Sequence, residues 1–144
     1  MSPIDKDKIT KLISQVIQSK KELEEILNIT ITDFLKDSKS KGATKYYLVI
    51  GIEAMINISN HIIAKEQLGT PDDYSDVFNV VNKFNLFSEE LIKKLIDMAR
   101  YRNKLVHLYR KIDDAELYDK LKDNIQTFEL FEKSISKYLK NQKM

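Results

Sequence analysis

Arg102, Asn103, His107 and Tyr109 fall within one run of eight residues, Arg102-Asn103-Lys104-Leu105-Val106-His107-Leu108-Tyr109. An imidazole and a guanidinium this close in sequence suit work on a phosphodiester. Imidazoles titrate near neutrality and can take the proton of a ribose 2′-hydroxyl. The guanidinium fork fits two phosphoryl oxygens and holds the charge that builds on them as the ester breaks. That chemistry asks for no metal. The sequence offers no array of His, Asp and Glu at the usual metal-ligand spacings, and its lack of cysteine excludes disulfides and thiolate sites. His107 is one of only two histidines.

The element that must position these groups is a helix. Leu91, Leu95, Met98, Ala99, Leu105 and Val106 recur at helical spacing around the run. At about 100° per residue, Leu91, Leu95 and Tyr109 lie within about 20° of Arg102, and Met98 and Val106 within about 40°. Arg102 is therefore centred on the apolar stripe, where an unpaired guanidinium is strongly unfavourable. Either an internal carboxylate meets it, or the stripe lines a wet cleft that receives an anion. Glu53, among apolar neighbours on another helix, is the candidate carboxylate.

His107 is five residues on from Arg102, about 140° around the axis and about 7.5 Å along it. On one straight helix that is a poor spacing for gripping one small group. Two copies packed about a two-fold axis would bring both residue types together, which favours a composite site in a homodimer. The plainer alternative is a salt-bridged structural arginine and a histidine with no chemical role.

Length and composition set the frame. A chain of 144 residues is expected to be a single domain with a sizeable core. With only three glycines and two prolines, it should have few turns and long elements. The class expected is all-α, an antiparallel bundle of four to five helices. A first helix is expected from about Asp5 to Asp37, with a possible bend in the β-branched segment Asn28 to Thr32, then a loop at Ser38 to Gly42. The second helix starts near Ala43 and ends before Leu68-Gly69-Thr70-Pro71, with Gly69 closing it. A short third helix spans Asp76 to Phe84. Ser88 caps the fourth, which carries the octet. Asp113 and Glu116 resemble a capping box that opens the fifth. Residues 139 to 144 are expected to fray.

Lys and Arg number 24 against 22 Asp and Glu, for a net charge of +2. Charge alone therefore does not announce a nucleic-acid binder, and any RNA contact must come from local placement. Lys36, Lys39, Lys41 and Lys45 flank the expected loop, as a solvated run or as a rim that guides RNA. Tyr46 and Tyr47 suit either packing or base stacking. His61 is a weak catalytic candidate. The longest apolar stretch, Tyr46 to Ile52, is too short to span a bilayer. The amino terminus has no signal-peptide core, and the lack of cysteine suits a reducing cytoplasm.

Met98-Ala99-Arg100-Tyr101, continuing into the octet, resembles the signature of the HepT-like family, a branch of the HEPN superfamily. The pattern is Arg, four residues, His, one residue and Tyr, usually with Asn after the Arg, and all four positions match. Gly51 to Ile63 resembles the family's second helix, and Leu68-Gly69-Thr70-Pro71, with Tyr74 and Phe78, its turn and third helix. The resemblance implies the toxin of a type VII-like toxin–antitoxin pair, a metal-independent endoribonuclease without cofactor that acts as a homodimer. Arg102 and His107 would be catalytic, with Asn103 and Glu53 in support. The partner would be an MntA-like minimal nucleotidyltransferase antitoxin that transfers AMP from ATP to Tyr109. With Tyr109 on the face of Arg102, phosphates attached to it would occupy or repel the anion site. Asn57 stands where many relatives carry Asp, which speaks against a charged role there. The alternative is a non-catalytic HEPN module that binds a nucleotide or a partner protein.

Overall fold

The computed structural model describes residues 5–142, which form six α-helices. They are α1 (Lys6–Ile26), α2 (Ile31–Lys36), α3 (Ser38–Glu66), α4 (Asp76–Val81), α5 (Glu89–His107) and α6 (Asp114–Asn141). No strand occurs among the described residues. Helix α3 runs through the middle and packs against each of the other five. Its window of mean hydropathy 1.4 is long and apolar enough to cross a membrane, but more than half of that window is buried by neighbouring helices. It serves here as the core helix of the bundle.

Gly51 makes the tight centre possible. A methyl group there would sit 2.7 Å from Phe128 Cζ on α6 and 3.1 Å from Ser19 Cβ on α1. Only a residue without Cβ lets both helices close onto α3, around a core that includes Phe34, Phe78, Phe128 and Phe131.

The long first helix expected from the sequence is two helices. Thr30 opens α2 by accepting a hydrogen bond from Asp33 N–H at 3.2 Å, and the Tyr118 hydroxyl donates to the Ile29 carbonyl exposed by the break. The Ser38-to-Gly42 loop is absent. Asp37 accepts from the Lys39 N–H at 3.1 Å and the Ser40 hydroxyl at 2.7 Å, so Ser38 begins α3. A strong cap has outweighed loop-like composition. Those same bonds, the Ser40 hydroxyl foremost, hold the Asp37 carboxyl below its usual range.

Gln67, not Gly69, takes the left-handed cap of α3 (φ 54°), and Gly69 follows at φ 125°. Helix α4 runs into a 3₁₀ turn at Asn82–Phe84, together matching the expected third helix. Ser88 caps α5 as expected, accepting from Leu91 N–H at 3.1 Å. Asp113 caps α6 through the Ala115 and Glu116 N–H groups. The reciprocal half of the capping box does not form, because Glu116 binds Lys104 at 2.9 Å instead. Helix α6 continues to Asn141, into the tail expected to fray, and Lys143 and Met144 lie outside the described residues.

Candidate functional site

Helix α5 buries Leu91, Leu95, Met98, Ala99, Tyr101 and Leu105 against the bundle. Towards its end the buried side shifts to Tyr101 and Leu105, while Val106 is left 45% exposed. The side that carries Arg102, Asn103 and His107 opens instead. There these three residues form one wall of a cavity of about 500 Å³. Asn60 of α3, Val77 of α4, and Pro71, Asp73 and Tyr74 of the connecting segment complete it.

The carboxylate expected beside Arg102 is present, and the same helix face lines a cavity. Its side chain is only 12% exposed and meets a carboxylate: Glu53 Oε1 accepts from Nη2 at 2.6 Å and from Nε at 3.2 Å. Asn103 Oδ1 accepts from Nη1 at 3.0 Å. The Tyr74 ring lies across the guanidinium carbon, 4.6 Å from its centroid. Three of the five guanidinium N–H groups are thus engaged, and the other two make no hydrogen bond among the described residues. Glu53 and Asn103 set the plane of the fork before anything binds.

His107 ends α5 on the same cavity, exposed to solvent. The wide angle between it and Arg102 is bridged by the cavity's size, so one chain brings both to a common space. His61 is elsewhere: its Nε2 accepts from the Asp5 N–H at 3.1 Å, fastening the start of α1 to α3. Tyr101 turns into the core, where burial first and the charge of Glu116 second push its phenol well above the usual range.

The cavity is not strongly cationic. Arg102 is its one permanent cation and is paired with Glu53. Asp73 stands on the rim, its carboxyl held low by the Asp76 N–H and the Ser75 hydroxyl. Among the described residues no group of three His, Asp or Glu side chains is placed to hold a metal ion.

Tyr109 departs from its expected position. Helix α5 stops at His107, Leu108 breaks the helical backbone (φ −124°, ψ 35°), and Tyr109–Lys111 form a 3₁₀ turn. Tyr109 therefore does not share the face of Arg102. It lines a second groove of about 350 Å³ with Ser38, Lys41, Gly42 and Lys45 of α3, and Arg110. Lys45 Nζ lies 4.3 Å from the centre of its ring and donates to its carbonyl at 3.4 Å. Two of the four lysines singled out from the sequence thus reach a site.

Asp73 and Val77 were missed by sequence reasoning, and Asn60 and Pro71 had entered only within segments of family resemblance, not as site residues. No residue type or spacing marked them as neighbours of Arg102, because only the packing of α3, α4 and their connection against α5 brings them there. Tyr74 had entered only through family resemblance, not as a neighbour of Arg102.

Comparison with known proteins places the chain among helical ribonucleases. The tRNA nuclease HepT of Aphanizomenon flos-aquae is 27% identical over 129 residues, covering 90% of this chain and 86% of that protein. The mRNA nuclease HepT of Shewanella oneidensis is 33% identical over 79 residues, 55% of this chain and 59% of that one. Among solved structures, the tri-AMPylated Shewanella oneidensis HEPN toxin in complex with MNT antitoxin superposes with a TM-score of 0.82 at 26% identity, covering 90% of this chain and 97% of that chain. The class is thus an all-helical endoribonuclease of the HEPN superfamily. More narrowly, the chain belongs to the ribonuclease HepT-like family, whose profile matches residues 16–135.

Proposed function

We propose that the chain is the toxin of a toxin–antitoxin pair and cuts RNA at the Arg102/His107 cavity. The observation that carries this is the oriented guanidinium: Glu53 and Asn103 hold it on a cavity wall shared with an exposed imidazole. His107 takes the proton of a ribose 2′-hydroxyl as its oxygen bonds to the adjacent phosphorus. The bond from phosphorus to the 5′-oxygen breaks, and the 5′-oxygen leaves with a proton taken from solvent water. Arg102 steadies the charge on the non-bridging oxygens through its two remaining N–H groups. The products are a 2′,3′-cyclic phosphate and a 5′-hydroxyl. No step in this scheme uses a metal.

Two copies form the working enzyme. Val106 and Leu108, 45% and 46% exposed on either side of His107, are the apolar surface a second copy would cover. The partner is an MntA-like nucleotidyltransferase, and the modified residue is Tyr109. The tyrosine oxygen attacks the α-phosphorus of ATP, pyrophosphate leaves, and the phenolic proton passes to a base of the transferase. The exposure of Tyr109, 52%, supports its access to such an enzyme, as does the AMPylated toxin among the structural relatives.

Purified protein should cut RNA in EDTA and leave the stated ends, and His107→Ala should not. Incubation with the partner and ATP should add AMP-sized mass increments that Tyr109→Phe abolishes. Increments that persist on Tyr109→Phe assign the modification to another residue.

A further inference from the structure

One wall of the Arg102 cavity is unsuited to phosphate. Asp73 stands there as an exposed carboxylate, held below its usual range first by the Asp76 N–H and then by the Ser75 hydroxyl. Both donate to Oδ1, at 2.9 Å and 2.8 Å. No hydrogen bond reaches Oδ2 among the described residues, and Arg100 acts on the carboxyl only through space, without an ion pair. An ionised oxygen with open lone pairs accepts hydrogen bonds and repels anions. Beside it is Tyr74, whose ring lies on the Arg102 guanidinium and still leaves 44% of the residue's surface open. Pro71 and Val77 add apolar lining, and Asn60 adds an exposed amide.

An aromatic plane edged by hydrogen-bonding groups suits a nucleobase. The ring stacks on bases of any kind, and the groups at its edge choose among them. A carboxylate chooses by donors. Cytosine and adenine present an exocyclic amino group, and guanine an amino group beside a ring N–H. Uracil presents a single ring N–H between two carbonyl oxygens, which a carboxylate repels. All of these protein groups come from α3, α4 and their connection in one chain. Val106 and Leu108, the surface assigned to the second copy, do not line the cavity.

We infer that Tyr74 and Asp73 form a base subsite for a nucleotide flanking the phosphate at Arg102 and His107. Tyr74 stacks on the base, and Asp73 Oδ2 accepts from its amino group. The site therefore prefers cytosine, adenine or guanine to uracil at that position. The inference rests on the proposed use of the cavity for RNA. The cavity's two walls then share one nucleotide step: the α5 wall takes the phosphate, and the wall from the α3–α4 connection takes the base.

The test is the affinity of short fluorescent RNA oligomers of cytidine and of uridine for the full chain carrying His107→Ala. Their phosphates are the same, so the ratio of the two affinities reads the base alone. The parent should bind the cytidine oligomer about tenfold more tightly. Asp73→Asn is the informative variant. Its side-chain oxygen can keep both bonds to the turn, while an amide N–H₂ replaces Oδ2. The preference for cytidine should disappear or reverse, because the uracil carbonyls now find a donor. Tyr74→Leu should weaken both oligomers by about tenfold, and Tyr74→Phe should restore them. Exchanging adenine for purine, which removes only the amino group, should weaken binding by the parent and cost Asp73→Asn little. Circular dichroism and thermal melting confirm the fold of each variant. Equal affinity for the two oligomers on the parent, or an unchanged ratio in folded Asp73→Asn, overturns the base subsite. Arg102→Ala separates the two failures. If it weakens both oligomers while the parent still binds them alike, the cavity takes RNA and only the base subsite is wrong. If neither Arg102→Ala nor Tyr74→Leu alters binding, RNA does not enter the cavity, and the proposed function fails with the inference.

Discussion

The Arg102 cavity and the Tyr109 groove flank the last turn of one helix, yet they are built by different means. The cavity is anchored in the core. Glu53 comes from the central helix, Arg102 is nearly buried, and their bond fixes the fork across the α3–α5 interface. The groove is made at the surface by a helix that stops. Leu108 leaves the helical backbone, Ile112 is buried, Asp113 caps α6, and the short 3₁₀ turn between them presents Tyr109 to solvent. A cavity set by the core is fit for chemistry that needs fixed geometry. A turn at the surface is fit for modification by another protein.

If this division is right, variants on one side should leave the other intact. Arg102→Ala should have the largest effect, lowering kcat/KM for RNA by about 10² to 10³ while Tyr109 still accepts AMP. Loss of both together would merge the two regions. Glu53→Gln should come next. The fork stays in the cavity but loses its anionic anchor, so cleavage should drop about tenfold. Stability should fall by about 1–2 kcal/mol, less than for a fully buried pair because Glu53 is 40% exposed. Chemical denaturation beside initial-rate kinetics measures both quantities.

Asp113→Ala should act on the groove alone. Losing the cap of α6 costs about 1 kcal/mol and frees the turn before it. Adenylylation of Tyr109 should slow, while kcat at saturating RNA holds. A matching fall in kcat would show that the turn also sets the cavity.

The smallest effect expected lies far from both regions. Lys65, and then the Tyr138 hydroxyl, hold the Glu66 carboxyl below its ordinary value of 4.5. Its folded value is depressed, so its contribution to stability is complete above about pH 4.5 and is lost as pH falls through the folded value. Glu66→Gln should flatten acid unfolding in that window without altering cleavage at neutral pH.

The conflict at Arg102 was legible in the sequence because helical periodicity exposes a charge on an apolar stripe, and the only resolutions open to it were a partner or a cleft. Glu53 was legible for the same reason, as a lone carboxylate among apolar neighbours. The position of Tyr109 was not read correctly. No glycine or proline marks the end of α5, so the periodicity was carried two residues too far. A signal existed all the same. Asp113 was recognisable as a cap, and reversal into α6 needs several residues before it, which places Tyr109 in the turn. Ser38 to Gly42 failed in the opposite sense, where a composition suited to a loop was overruled by the Asp37 cap. Cavity residues such as Asn60 and Asp73 depend on how α3, α4 and their connection come together, which local pattern does not encode.

The central claim is that the Arg102/His107 cavity cuts RNA and that modification of Tyr109 stops the cutting. The most direct measurement is cleavage of a defined RNA in EDTA by wild type, His107→Ala and Tyr109→Phe, each before and after incubation with the nucleotidyltransferase partner and ATP. Wild type should cut and then be silenced, Tyr109→Phe should cut under both conditions, and His107→Ala should cut under neither. Cleavage by His107→Ala at the wild-type rate would contradict the account.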